Sequence, residues 1–348
     1  MTRIDSQGMN IIIEKSLNKL PITNFLLSFL IVFHHSVSGD LRYIDTYNPI
    51  AYGANVFFQK FMFNLSECAV PIFFFISAYL FYRNYDGSIS QYKQKVWRRI
   101  FSLAVPYVIF GTIGYIKCLI EGGYSGSNYF LSWIKAVCVS ETMPLWFIRE
   151  LMVFTLLAPI FFWLKNKVKV SVVISLIIII MIAFGYIKYT WFIYWTPVYL
   201  IGVHMHNEYL TKVCQWLHSH SKIALLYVLL YTIICWFFPN GEVRPFFFNM
   251  FYILFRVITP FVYIPIMIRI AESQLPVRKS MNYSFFVFCI HYPVISLLHT
   301  VINKTIDISP LTEYLIIAVS TYYICVLIAL ILQRYFPQVW YIINGRRR

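Results

Sequence analysis

Long apolar stretches alternate along this chain with short clusters of charge. A helix needs roughly 20 apolar residues to cross the hydrocarbon core of a bilayer. By that measure the pattern predicts ten spans, at about 21–39, 63–82, 101–120, 144–164, 170–187, 190–206, 223–239, 247–268, 283–302 and 311–333. The fifth, VSVVISLIIIIMIAFGY, is the most uniformly apolar, and only Lys188 and a few neighbours part it from the sixth. The stretch AYGANVFFQKF, just before the second span, reads as an interfacial helix. No repeat of fixed period, low-complexity linker or room for a soluble domain is visible. The expected organisation is a cytoplasmic segment (1–20), a transmembrane domain (21–335) and a basic cytoplasmic tail (336–348).

Composition agrees with this pattern. Hydrophobic residues make up 59% of the chain and charged ones 12%, against about 25% charged in soluble domains. The net charge of +15 would suggest nucleic acid in a soluble protein. Here the basic residues are not gathered on one face or domain, so no nucleic-acid partner is expected. They alternate instead. With the N-terminus inside, cytoplasmic segments hold 20 of the 29 basic residues and outer loops hold seven. Such a bias is the positive-inside pattern, and an odd number of spans would break it. The predicted fold is therefore all-α, a polytopic bundle of about ten transmembrane helices with both termini cytoplasmic. The seven cysteines show no CxxC and no metal-like spacing, so neither a disulfide framework nor a metal site is expected. The first span is expected to act as an uncleaved signal.

Ionisable groups inside spans are costly and rare unless they work or are paired. His34, His35, Glu67, Arg149, Glu150, Arg256 and His291 fall in this class, and they are read as facing one polar cavity in the outer half of the bundle. Arg149 and Glu150 are adjacent, so on a helix each is expected to need a different partner. The cluster Lys93, Lys95, Arg98 and Arg99 precedes span 3. It serves either as a topology signal or as a site for a polyanion, since arginine pairs grip phosphate oxygens bidentately. His204, His206, His218 and His220 have no acidic or Cys partner at ligand spacing and read as solvated loop residues.

These residues sit in strings that resemble the acyltransferase-3 family of integral membrane acyltransferases, which O-acetylate bacterial surface polysaccharides and related acceptors. NFLLSFLIVFHHSV is similar to the family's first helix, in which an Arg, ten residues, a His and a small residue follow in order. CAVPIFFFISAYLFY is similar to VPxFFxxSGYL, and RRIFSLAVPYVIF to a basic cluster followed by Leu-x-x-Pro-Tyr. PLWFIRELMVF, YLIG and SFFVFCIHYPV resemble the family's PLWFxxxL, YxxG and aromatic-x-x-His-x-Pro strings. There are departures. The family Arg falls on Asn24, and Ala78 replaces a Gly. Eleven residues advance a helix about 16 Å and about three turns, so Asn24 and His35 share a face.

The resemblance implies transfer of an acyl group, acetyl above all, from acetyl-CoA or another acyl-CoA to a hydroxyl of a carbohydrate or glycolipid. The setting would be the bacterial inner membrane. His35 would be the general base, or would carry the acyl group itself. Arg98 and Arg99, with Asn24, would hold the donor phosphates. Arg149 and Glu150 would orient His35 or the acceptor, and Trp146, His291 and Glu67 would line the acceptor's passage. Two other classes stay open. A transporter or flippase also needs many spans and buried charges, but typically shows paired Gly/Pro-broken helices, and none is seen here. A structural or regulatory protein that kept the fold and lost catalysis would account for Asn24.

Overall fold

The computed structural model describes residues 17–37, 49–124, 128–205, 212, 216, 219–236, 245–305 and 308–347. Among them every regular element is a helix. In chain order they are α1 (Leu20–His35), α2 (Pro49–Ser66), α3 (Ala69–Tyr82), α4 (Ile89–Arg99), α5 (Val105–Ile120), α6 (Tyr129–Val139), α7 (Trp146–Leu156), α8 (Ala158–Leu164), α9 (Val168–Ala183), α10 (Phe192–His204), α11 (Ser221–Trp236), α12 (Phe246–Glu272), α13 (Ser284–Thr305), α14 (Pro310–Tyr335) and α15 (Pro337–Ile343). A π-helical turn, Ile100–Ala104, joins α4 to α5, and a short 3₁₀ turn leads into α13. The described residues of each of the ten stretches expected to be spans are largely helical. Five helical stretches among the described residues are long and apolar enough to cross a membrane: Phe57–Tyr82, Ile89–Ile120, Phe246–Glu272, Lys279–Thr305 and Pro310–Tyr335. Taken together, α7 and α8 are also long and apolar enough, but the pair is bent by 67° where Pro159 removes a backbone donor.

Two features refine this picture. The stretch before the second span is continuous with it, since α2 runs to Ser66 and breaks only at Glu67 and Cys68 before α3 begins. The basic tail is folded. Its α15 docks through Trp340, which is buried against Tyr283 and Phe286 at ring-centroid distances of 5.4 and 5.3 Å. Arg3, Lys15, Arg42, Arg244, Arg348, His206, His218 and Cys214 lie outside the described residues.

Lipid tails are as apolar as leucine, so helices in a bilayer associate through close packing and polar contacts. One close approach is α10 on α3. A Cβ placed on Gly202 would lie 2.5 Å from the Phe75 carbonyl oxygen and 2.6 Å from the Ala78 Cβ. Only glycine fits. Aromatic layers fill the remaining space: Phe74 stacks on Trp195 at 5.0 Å, and Phe154 on Tyr199 at 3.9 Å. His204 ends α10 buried, hydrogen-bonded to Ser171 at 2.9 Å. It is therefore a core residue and not the solvated loop histidine its neighbourhood in sequence suggests. His220 is exposed, as expected.

Candidate functional site

Four helices, α1, α3, α7 and α13, enclose two cavities that lie end to end. One has a volume of about 50 Å³ and the other about 190 Å³. Phe147 and Phe288 line both. The α1 face predicted from the eleven-residue spacing joins them, with Asn24 in the larger cavity and His35 in the smaller.

The smaller, histidine cavity is lined by His34, His35, Glu67, Trp146 and Tyr189, among others. His34 and His35 close the last turn of α1, where the orphan carbonyls favour cationic or donor groups. Ser36 ends that turn by hydrogen-bonding the Val32 carbonyl at 2.7 Å. His34 is held from the side: its Nδ1 lies 2.8 Å from Ser66 Oγ, and its ring stacks on Phe63 at 4.1 Å. His35 packs against His291, with ring centroids 5.1 Å apart, and edge-on to Tyr292. His291 is fully buried and donates from Nδ1 to the Phe288 carbonyl at 2.8 Å. That bond fixes its tautomer and leaves Nε2 an acceptor with no partner among the described residues.

Glu67 stands at the break between α2 and α3. Arg256, from the middle of α12, meets it at 2.6 Å and also donates to the Tyr194 hydroxyl. The guanidinium is surrounded by rings, with Tyr189 at 5.0 Å and Trp195 at 5.6 Å. The half-buried Glu67 carboxylate is thus paired with a buried cation and enters the cavity wall already neutralised. Trp146 stacks on Trp195 at 5.8 Å and meets Tyr189 at 4.6 Å.

The larger, arginine cavity divides the basic cluster. Arg99 lines it and reaches to 3.4 Å from Ser77 Oγ. Arg98 is exposed and is absent from the lining, in contrast to its expected place beside Arg99. Lys95 donates to the Phe81 carbonyl at the end of α3, a helix-capping task. Arg99 is the last residue before the π turn, whose extra residue places the Val105 N–H on the Ile100 carbonyl. Ser77 and Ser284 add hydroxyls to the wall, and Arg347 adds a second guanidinium.

Residues 25–330 match the family model of an acyltransferase domain. The chain belongs to the acyltransferase-3 family. No curated protein and no solved structure matches it. The family assignment makes the bundle a membrane acyltransferase. Asn24 and Arg347 both lie outside the matched residues of this acyltransferase-3 chain.

Like Arg98 and His291, Arg149 and Glu150 are outside both linings. They pair with each other, Arg149 Nε donating to Glu150 Oε1 at 2.7 Å. The expectation of separate partners fails because the arginine side chain is long enough to curl back past its own backbone. The rest of the guanidinium donates to the Cys138 and Val139 carbonyls at the end of α6 and to the Thr190 carbonyl. Glu150 receives the Phe192 N–H at the start of α10. The pair thus ties the ends of α6 and α10 to α7. The expected single polar cavity is accordingly smaller: His34, His35 and Glu67 line it, with Arg256 and His291 directly behind. Two polar lining residues, Tyr189 and Arg347, carry little signal in the sequence. Tyr189 sits in a short loop rich in aromatics, and Arg347 sits in a run of three arginines that reads as a topology signal.

Proposed function

We propose that this acyltransferase moves an acyl group, acetyl in the first instance, from acyl-CoA to a hydroxyl of a cell-surface carbohydrate or related exported acceptor. The setting is the bacterial inner membrane, crossed about ten times, with both termini cytoplasmic. The observation that carries the proposal is the pair of cavities on one face of α1, with His35 at one end and Asn24 and Arg99 at the other.

The donor phosphates would rest against Arg99, with the thioester extending along α1 toward His35. His35 takes the proton of the acceptor hydroxyl as its oxygen attacks the thioester carbonyl carbon. The C–O bond forms, the C–S bond breaks, and the proton passes to the departing thiolate. Positioned general bases of this kind contribute about 100- to 10,000-fold in rate. His291, packed on His35 and held in one tautomer by Phe288, keeps the base in place. Arg149 and Glu150 act at a distance, by setting the ends of the helices around the cavity. Glu67 and Trp146 form the wall that the acceptor meets.

The test is turnover by the purified chain in nanodiscs with radiolabelled acetyl-CoA, following bound label and free thiol. Thiol release in the wild type that falls at least about 100-fold in His35→Ala, with donor binding retained, is the expected result. Absence of donor binding in a well-folded protein would overturn the proposal and favour a transporter. His35→Ala with full activity would move the base to His34 or His291.

A further inference from the structure

Two guanidinium groups line the arginine cavity, and among the described residues no carboxylate does. Arg99 reaches it from the end of α4. Arg347 arrives from the other end of the fold by a defined route. Once Trp340 has anchored α15, the chain reverses at Gly345, whose φ is +65°. A side chain there would be strained and would lie 2.6 Å from the Ser102 carbonyl oxygen and 2.4 Å from Arg347 Nη1. The turn therefore seats on the π segment and delivers Arg347 inward. Its guanidinium lies over the Phe285 ring at 3.5 Å and donates from Nη1 to the Asn344 carbonyl at 3.0 Å. Burial foremost, and then the Arg99 charge, lower this guanidinium to about 10, which leaves it cationic at neutral pH.

Like charges in a largely apolar cavity repel each other and lose hydration. An anion relieves both costs, and the planar fork of each guanidinium matches phosphate oxygens. Arg346, the neighbour, lies over the Phe101 ring at 3.5 Å and is exposed. Of these two neighbours only Arg347 aims inward.

We propose that Arg347 is a donor-binding residue, forming with Arg99 a two-guanidinium clamp for the phosphate groups of the acyl donor and supplying the positive charge that Asn24 lacks. This rests on the acyl-CoA reading above. The Asn24 amide shares the cavity wall with both arginines, so a cation there would face the same ligand.

The experiment is equilibrium binding of radiolabelled acetyl-CoA to the full chain in nanodiscs of zwitterionic lipid. Arg347→Gln is expected to weaken binding about 10- to 100-fold, the worth of a charge-assisted hydrogen bond. Arg347→Lys is expected to weaken it less, and Arg346→Gln not at all. Adding Asn24→Arg to Arg347→Gln is expected to restore most of the loss, which a merely structural role for Arg347 would not allow. Turnover of S-acetylpantetheine, which lacks the phosphates, is expected to be equal in wild type and Arg347→Gln. Undiminished binding by both Arg347 variants, with the wild type binding normally, overturns this proposal and leaves the donor reading intact. No binding by the wild type defeats the donor reading, and the clamp falls with it. If acetyl-CoA binding is unchanged but anionic lipid stabilises the wild type and not Arg347→Gln, the clamp holds a lipid headgroup and the proposal is likewise overturned.

Discussion

Phe147 and Phe288 meet edge to face with ring centroids 5.8 Å apart, and each forms part of the wall of both cavities. The contact is a partition. Phe73 and Phe74 brace Phe147 from α3 at 5.8 and 4.7 Å, while Phe288 rests near His291 at 6.1 Å. Anything passing from the arginine side to the histidine side displaces one of these rings.

The partition makes a first prediction. Phe288→Leu is expected to widen the passage and to raise thiol release in the absence of acceptor severalfold relative to transfer. Phe147→Trp is expected to lower both. Leucine limits the cavity penalty, which for Phe→Ala is about 3–5 kcal/mol. Thiol release with and without acceptor measures the ratio, and a ratio unchanged in both variants would remove the two rings from the path.

Gly202 makes the second. Adding a methyl group against the Phe75 carbonyl and Ala78 is expected to destabilise the bundle by about 1–3 kcal/mol, the usual range for overpacking. Thermal unfolding in detergent reads the loss. Ala78→Gly in the same chain is expected to recover only part of it, because the Phe75 carbonyl contact remains.

The third concerns Glu67 and Arg256. Arg256→Ala leaves a half-buried carboxylate without its cation and is expected to cost about 3 kcal/mol, the low end of the range for a fully buried pair. Glu67→Leu combined with Arg256→Leu is expected to cost less than either single change. The same unfolding assay, run as a double-mutant cycle, checks both statements, and additivity of the two single effects would deny the pairing.

A fourth separates positioning from chemistry. Arg149→Lys keeps a charge but cannot serve Glu150 and three carbonyls at once. A lower melting temperature is expected, with turnover per folded molecule reduced less than about tenfold, well short of the loss expected for His35→Ala. Equal losses in the two variants would return Arg149 to the reacting groups.

Much of this arrangement is legible in the chain itself, because local rules govern it. Span-length apolar runs give the helices. The eleven-residue spacing gives the α1 face that joins the cavities, and it does so whether position 24 carries Arg or Asn. What escapes are contacts made across long sequence distances. Arg347 looks like one of three solvated arginines until Trp340 and the reversal at Gly345 bring it inside. Arg98 and Arg99 look equivalent until the helix turns one outward and the other in. Arg149 and Glu150 look incompatible because a wheel diagram shows where side chains start and not how far they reach.

The π turn also decides where this protein can change length. A π turn is an ordinary helix holding one extra residue in a local bulge, so the helix on either side keeps its facing. A one-residue deletion within Ile100–Ala104 would therefore flatten the bulge and leave Arg99 aimed at Ser77. The same deletion one or two turns further on, within α5, has no bulge to absorb it and would rotate everything before it by about 100°. Gaps in alignments of related chains should gather at the first place and avoid the second.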